Sequence, residues 1–161
     1  MKPFRTHTGM VVPLDRAAAF DLFTRRLPEW WPLARRSATA EARSCHVEPR
    51  VGGRLFETTR DGGEAMWGRF LTWEEPDHVV FSWHPGLPEE VATFVRVTFT
   101  AEGERTRVDV VHHGWERLGE RASFLRAAFD GGWPGVLARF VARATGVEPP
   151  PWDDVPGCGA R

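Results

Sequence analysis

Residues 92–113, ATFVRVTFTAEGERTRVDVVHH, decide the fold. Two runs that alternate apolar and polar side chains flank Glu102-Gly103-Glu104, whose glycine supplies the positive φ that a tight reversal needs. Successive strand side chains point to opposite faces, so Val95, Val97 and Phe99 share one face, and Val108, Val110 and His112 share the matching face of the next run. Arg107, Asp109 and His113 point the other way. An apolar face backed by a solvated one predicts an antiparallel hairpin covered on one side only.

Toward the N-terminus the pattern repeats back to Ser44, with extended runs near residues 44–48, 54–60, 64–74 and 78–84. Val51-Gly52-Gly53, Asp61-Gly62-Gly63, Glu75-Pro76-Asp77 and Pro85-Gly86-Leu87-Pro88 separate them as turns. With the hairpin this makes a six-strand meander, and Val79, Phe81 and Trp83 join its apolar face. Upstream, residues 4–13 read as a first strand ended by Pro13. Asp15 is an N-cap for a short helix whose apolar stripe is Ala18, Leu22 and Phe23, with Phe20 more loosely placed. Pro28 and Pro32 bracket Glu29-Trp30-Trp31, a second short helix or turn, before an Arg-rich loop over residues 34–44.

The cover for the sheet comes from residues 118–145, where Leu118, Leu125, Phe129, Trp133, Val136 or Leu137, and Phe140 recur at steps of three or four. Gly131-Gly132-Trp133-Pro134 predicts a kink or a restart in that helix, and Gly146 ends it. Residues 147–161, with Pro149-Pro150-Pro151 and Gly157-Cys158-Gly159, read as a Pro/Gly-rich tail without a regular element of its own. The expected architecture is α+β: a curved antiparallel sheet of about seven strands wrapped around a long C-terminal helix, with one domain over residues 1–146.

Bulk properties narrow the function. A length of 161 residues fits a single domain of about 100 to 200 residues. No apolar run approaches the roughly 18 residues of a membrane helix. The opening residues lack the apolar core of a signal peptide, so a cytoplasmic location is expected. A net charge of −1 offers nothing to a phosphate backbone, and nucleic acid is not an expected partner. The two cysteines, Cys45 and Cys158, are too few and too ill-matched for a disulfide framework. Of the 21 basic residues only Lys2 is lysine, which nearly excludes a lysine nucleophile.

The order of elements and several short motifs resemble the helix-grip fold of the START-like (SRPBCC) superfamily, and within it the family similar to the C-terminal domain of the activator of Hsp90 ATPase. The motifs are Pro13 with Ala17 to Phe23 ahead of Trp30-Trp31, Val51-Gly52-Gly53-Arg54, Trp67-Gly68-Arg69-Phe70 leading to Pro76, and Val79-Val80-Phe81-Ser82-Trp83. They continue with Thr106 to Val110 leading into His112-His113-Gly114-Trp115, and Gly132-Trp133 to Leu137. The resemblance covers residues 4–145. It implies a cavity between sheet and helix for a lipid, polyketide, hormone or other apolar molecule. Some members of the superfamily are cyclases, and bacterial relatives are assigned to stress or regulatory contexts. No universal catalytic set accompanies these motifs.

Eight tryptophans and eleven phenylalanines without a tyrosine are the oddest feature of the composition. They read as packed core or as walls of a ligand cavity. The candidate ligand-binding set is Trp31, Phe56, Trp67, Phe81, Trp83, Val97, Val110, His112, Trp115, Phe129 and Trp133. His112, on the inward face, is the leading candidate for a general acid or base, and equally a histidine that only hydrogen-bonds at the end of the last strand. Its neighbour His113 points outward, and neither this pair nor Cys45-His46 can chelate one metal from a regular strand. No metal or cofactor is expected. The alternation does not settle the direction of Arg54, Glu57, Arg69 and Arg96: they read first as solvated or surface-paired charges, and any that faces inward must be paired or touch a polar ligand, while Arg25, Arg26, Arg35, Arg36 and Arg43 read as a solvated basic stretch before a surface for an acidic partner.

Three functions remain open. A non-enzymatic binder of a small apolar or amphipathic molecule comes first. A cyclase or dehydratase in which His112 or an inward Glu57 moves a proton comes second. A protein-interaction module, by analogy with the Hsp90 activator, comes third, and self-association into a homodimer is left open.

Overall fold

The alternation along the chain becomes one sheet. The computed structural model describes residues 5–123 and 132–155. Seven strands, β1 (Thr6–Val12), β2 (Ala42–Val47), β3 (Arg54–Thr59), β4 (Glu64–Glu74), β5 (His78–Trp83), β6 (Thr93–Glu102) and β7 (Arg105–His113), lie in the order β1-β7-β6-β5-β4-β3-β2, every pair antiparallel. Each expected strand is present within a few residues of its predicted span.

Register explains why the apolar face is continuous. Val79 pairs with Val97 and Val97 with Val110, while Phe70, Phe81, Val95 and His112 form the next row across four strands. Both rows are inside, whereas Arg107 and Asp109 pair with each other on the outer face. The register slips at Ala42/Ser44, Leu55/Phe56 and Phe70/Thr72, all in the β2–β5 half. Such irregularities bend and twist a sheet locally, and here they curl it around the helices. Gly68 sits within this half, where a Cβ would lie 1.7 Å from the Ser82 carbonyl oxygen; only glycine lets β4 approach β5 so closely.

Helix α1 (Arg16–Phe23) starts where the sequence predicts, with the Asp15 carboxylate accepting from the Ala18 N–H at 2.8 Å. Its buried side chains are Ala19, Phe20, Leu22 and Phe23. Ala18 was expected in the stripe; the inward position falls instead on Ala19. A 3₁₀ turn, Leu27–Glu29, follows, with Pro28 in its first turn. Helix α2 (Trp133–Thr145) buries Trp133, Val136, Leu137 and Phe140, the i, i+3, i+4, i+7 stripe of a helix laid on a core. Pro134 sits in its first turn, where a missing N–H costs nothing. A helix thus starts at Trp133, after Gly132, where the sequence predicts a kink or a restart. The expected stretch Leu125 to Phe129 lies outside the described residues. Gly146, at φ 75°, closes α2 in the left-handed region.

The C-terminal tail, expected to carry no regular element of its own, contains one short turn. Trp152–Asp154 forms a 3₁₀ turn, and Trp152 and Val155 are buried, each 8 % exposed, as members of the core. An indole that large gains enough from desolvation to hold a short segment in place. No helix among the described residues is long and apolar enough to cross a membrane.

Candidate functional site

Four tryptophans from four separate elements meet at one end of the sheet-helix core. Trp31 follows the 3₁₀ turn, and Pro32 directly after it keeps the chain extended there. Trp67 lies on β4 just before Gly68, Trp83 ends β5, and Trp133 opens α2. Their ring centroids form a closed circuit: Trp31 to Trp67 5.1 Å, Trp67 to Trp83 5.9 Å, Trp83 to Trp133 5.7 Å and Trp133 to Trp31 6.3 Å. Trp31 and Trp83 also touch across the circuit at 5.7 Å, and the packed rings form the aromatic wall of a half-open cavity of about 130 Å³, completed by Val136 and Pro85, with Arg35, Arg36 and Ser37 as its polar side.

The rings are held by their N–H groups. The indole Nε1–H of Trp31 donates to the Arg36 carbonyl at 2.7 Å, that of Trp67 to Glu57 Oε1 at 2.6 Å, and that of Trp133 to His112 Nδ1 at 3.0 Å. The Trp83 N–H has no acceptor among the described residues. A rigid aromatic wall with one unpaired donor follows from these bonds.

Glu57 is the keystone of this wall. It is fully buried on β3, and its carboxylate accepts from the Ala38 N–H at 2.5 Å, the Thr39 N–H at 3.2 Å and the Thr39 hydroxyl at 2.8 Å, besides the Trp67 indole. A buried carboxylate needs such donors in place of water. It therefore ties the loop carrying Arg35, Arg36 and Ser37 to the sheet. This corrects the expectation that Glu57 is a solvated charge: the slip at Leu55/Phe56 accompanies Leu55 and Glu57 facing inward. Burial first, and the Glu57 carboxylate second, push the neighbouring Cys45 thiol up to about 12, so Cys45 is no nucleophile.

His112 is also inside, yet it belongs to the wall and does not line the cavity. An indole nitrogen can only donate, so Trp133 requires Nδ1 of His112 to accept. The neutral ring then carries its proton on Nε2 and donates to Thr93 Oγ1 at 2.6 Å, and Thr93 in turn donates to the Trp83 carbonyl at 3.3 Å. Burial, with a smaller contribution from the neighbouring His113, lowers the His112 pKa to about 3. Trp115 stacks on the imidazole with centroids 4.3 Å apart.

Of the residues expected from sequence, Trp31, Trp67, Trp83 and Trp133 come together around the cavity. Phe81, Val97 and Val110 are packed core beneath it, His112 supports Trp133 from behind, and Trp115 packs on the His112 ring. Phe56 is a correction: it lies half-buried on the outer face, stacked on His46 at 5.0 Å with the Arg54 guanidinium 4.2 Å over its ring, because the inward places on β3 go to Leu55 and Glu57. Phe129 lies outside the described residues. Arg35 and Arg36, read as part of a solvated basic stretch, line the cavity, as do Ser37, Pro85, Gly132 and Val136. Only their nearness to Trp31, Trp83 or Trp133 in the chain hinted at this.

Comparison with known proteins agrees with this architecture. A family model described as "Activator of Hsp90 ATPase homolog 1-like protein" matches residues 14–145. Curated proteins yield no match. Among solved structures, an anthrahydroquino-γ-pyrone synthase, Txn09, solved in complex with SUM, is 32% identical with a TM-score of 0.60, covering 85% of this chain and 94% of its own. CalC of Micromonospora echinospora, a self-sacrificing resistance protein, is 31% identical with a TM-score of 0.64, covering 87% and 93%. A protein of Bordetella parapertussis, 20% identical with a TM-score of 0.62 over 94% of this chain and 80% of its own, shares the fold. The family match spans α1, β2 to β7, α2 and the aromatic wall described above, and the chain belongs to the activator of Hsp90 ATPase homologue 1-like family of the START-like superfamily.

Proposed function

We propose that this protein binds a small hydrophobic or amphipathic molecule in the four-tryptophan cavity, without transforming it. The observation that carries this reading is the cavity itself: about 130 Å³ lined by four indoles, three of which have their N–H groups tied to Glu57, His112 and the Arg36 carbonyl. Aromatic walls with a few placed polar groups are the usual lining of small-molecule sites. The similarity to Txn09, named for a synthase and solved in complex with SUM, and to CalC lends support to a ligand site in this fold. A cytoplasmic setting suits the buried free thiol of Cys45.

The cyclase or dehydratase alternative keeps the Txn09 likeness in its favour, but its proton movers are engaged elsewhere. His112 has both nitrogens in hydrogen bonds, and the Glu57 carboxylate is taken by four donors. A chaperone partner draws support from the family name alone.

Native mass spectrometry of the gently purified protein tests the binding reading, with the Val136→Phe variant, whose larger side chain occupies the cavity, run in parallel. A reproducible added mass that the variant lacks while retaining its circular dichroism supports it. An added mass unchanged in the variant places the ligand elsewhere and refutes it.

A further inference from the structure

The polar inventory of the cavity is one-sided. Its charged lining residues are Arg35 and Arg36, and no carboxylate is among the described residues that line it. Arg35 is exposed and has no ion-pair partner among the described residues, unlike Arg25, Arg26, Arg54 and Arg143, each of which meets a glutamate. Arg36 packs against Gly132, where a Cβ would lie 2.7 Å from its Cζ, and over the Trp152 ring at 5.4 Å. The Ser37 hydroxyl donates to the Thr39 carbonyl at 2.6 Å. The Trp83 N–H adds a further donor. Helix α2 begins at the same place: Gly132, Trp133 and Val136 line the cavity, and its first turn holds no acidic residue. The nearest buried negative charge, Glu57, turns both oxygens to Ala38, Thr39 and Trp67.

Size sets the second constraint. An apolar cavity of roughly 150 Å³ accepts benzene, so about 130 Å³ holds one ring with its substituent in the open half. Resting on the binding reading above, we propose that the cavity selects a small planar aromatic anion, with the ring against the indole wall and a carboxylate or phenolate oxygen directed to Arg35. Multi-ring neutral hydrophobes and aromatic amines are discriminated against, the first by volume and the second by the Arg35 charge.

Phenylacetate, phenylacetamide and phenethylammonium share a ring and differ in charge, which makes them suitable probes. Binding is followed by NMR on the indole N–H resonances, with the Trp83 signal identified by its loss in Trp83→Phe. Phenylacetate should shift the Trp83 resonance and bind about threefold tighter than the amide, the size of an exposed charge pair. The ammonium should bind weakest. That preference should shrink in Arg35→Gln, which alters an exposed side chain, and at raised ionic strength. Equal affinities for the three probes, or an undiminished preference in Arg35→Gln, overturn the anion selectivity while leaving the binding reading intact. No shift of any cavity indole with any of the three overturns both.

Discussion

Replacing Glu57 with alanine removes the acceptor on which three N–H groups and one hydroxyl converge, and the structure permits a magnitude. The Trp67 indole is 1 % exposed, so its N–H is left without water and costs about 2 to 3 kcal/mol as a buried unsatisfied donor. The Ala38 and Thr39 N–H groups sit in a half-buried loop that water can reach, so each costs about 0.5 to 1 kcal/mol, and the Thr39 hydroxyl can rotate to another acceptor. The sum is roughly 3 to 5 kcal/mol, a large part of the stability of any domain. Glu57→Gln is the informative partner. Its carbonyl keeps Ala38 and Trp67, its NH₂ can donate to the Thr39 hydroxyl, and only the Thr39 N–H loses its acceptor. The expected loss is therefore about 1 to 2 kcal/mol. Urea unfolding followed by tryptophan fluorescence measures both, and with a slope near 2 kcal/mol per M the alanine variant should lose about 2 M in midpoint. A loss below about 1 kcal/mol for Glu57→Ala at unchanged slope would refute the view that this carboxylate anchors the arginine loop to the sheet.

The neutral, buried His112 makes stability depend on pH. Its native pKa near 3 lies below the ordinary 6.5, so from pH 6.5 downward the unfolded chain takes up a proton that the native chain excludes, and stability falls by up to about 1.4 kcal/mol per pH unit. Glu29 and Glu48, held low by their arginine partners, act in the same direction only below about 4.5. The interval from pH 6.5 to 5 therefore isolates the histidines. His112→Asn should flatten the slope there more than His113→Asn, whose pKa is lowered from partial burial; equal slopes in wild type and His112→Asn would contradict the assigned burial. Trp152→Ala, which empties a core position, should cost about 3 kcal/mol in thermal or urea unfolding. An unchanged midpoint would mean that the tail does not dock.

Alternation and turn chemistry are local properties, which is why the strands were legible residue by residue. The period of two in Val95-Val97-Phe99 and Val108-Val110-His112, and the glycines and prolines between runs, determine the meander and its inner face without help from the rest of the chain. The same holds for the Asp15 cap and for the α2 stripe from Trp133 to Phe140. The tryptophans of the site were also visible, because large rings on an inward face have nowhere else to go. What sequence spacing could not decide is anything that depends on curvature or on contacts across long stretches of chain. On β3 plain alternation puts Leu55 and Glu57 inside and Phe56 outside, but which of the two faces is the inner one follows from the partner strand, where Trp67 is the extra residue at the slip between Leu55/Phe56 and Gly68/Met66. The Ala38-Thr39 loop meets that carboxylate only when the sheet has curled. Trp152 returns to the core and to Arg36 across more than a hundred residues. Arg35 and Arg36 look the same in sequence as any solvated pair, and only the packing of Trp31, Trp83 and Trp133 around them decided that they face a cavity, since the role of a charge is set by what surrounds it and not by its neighbours along the chain.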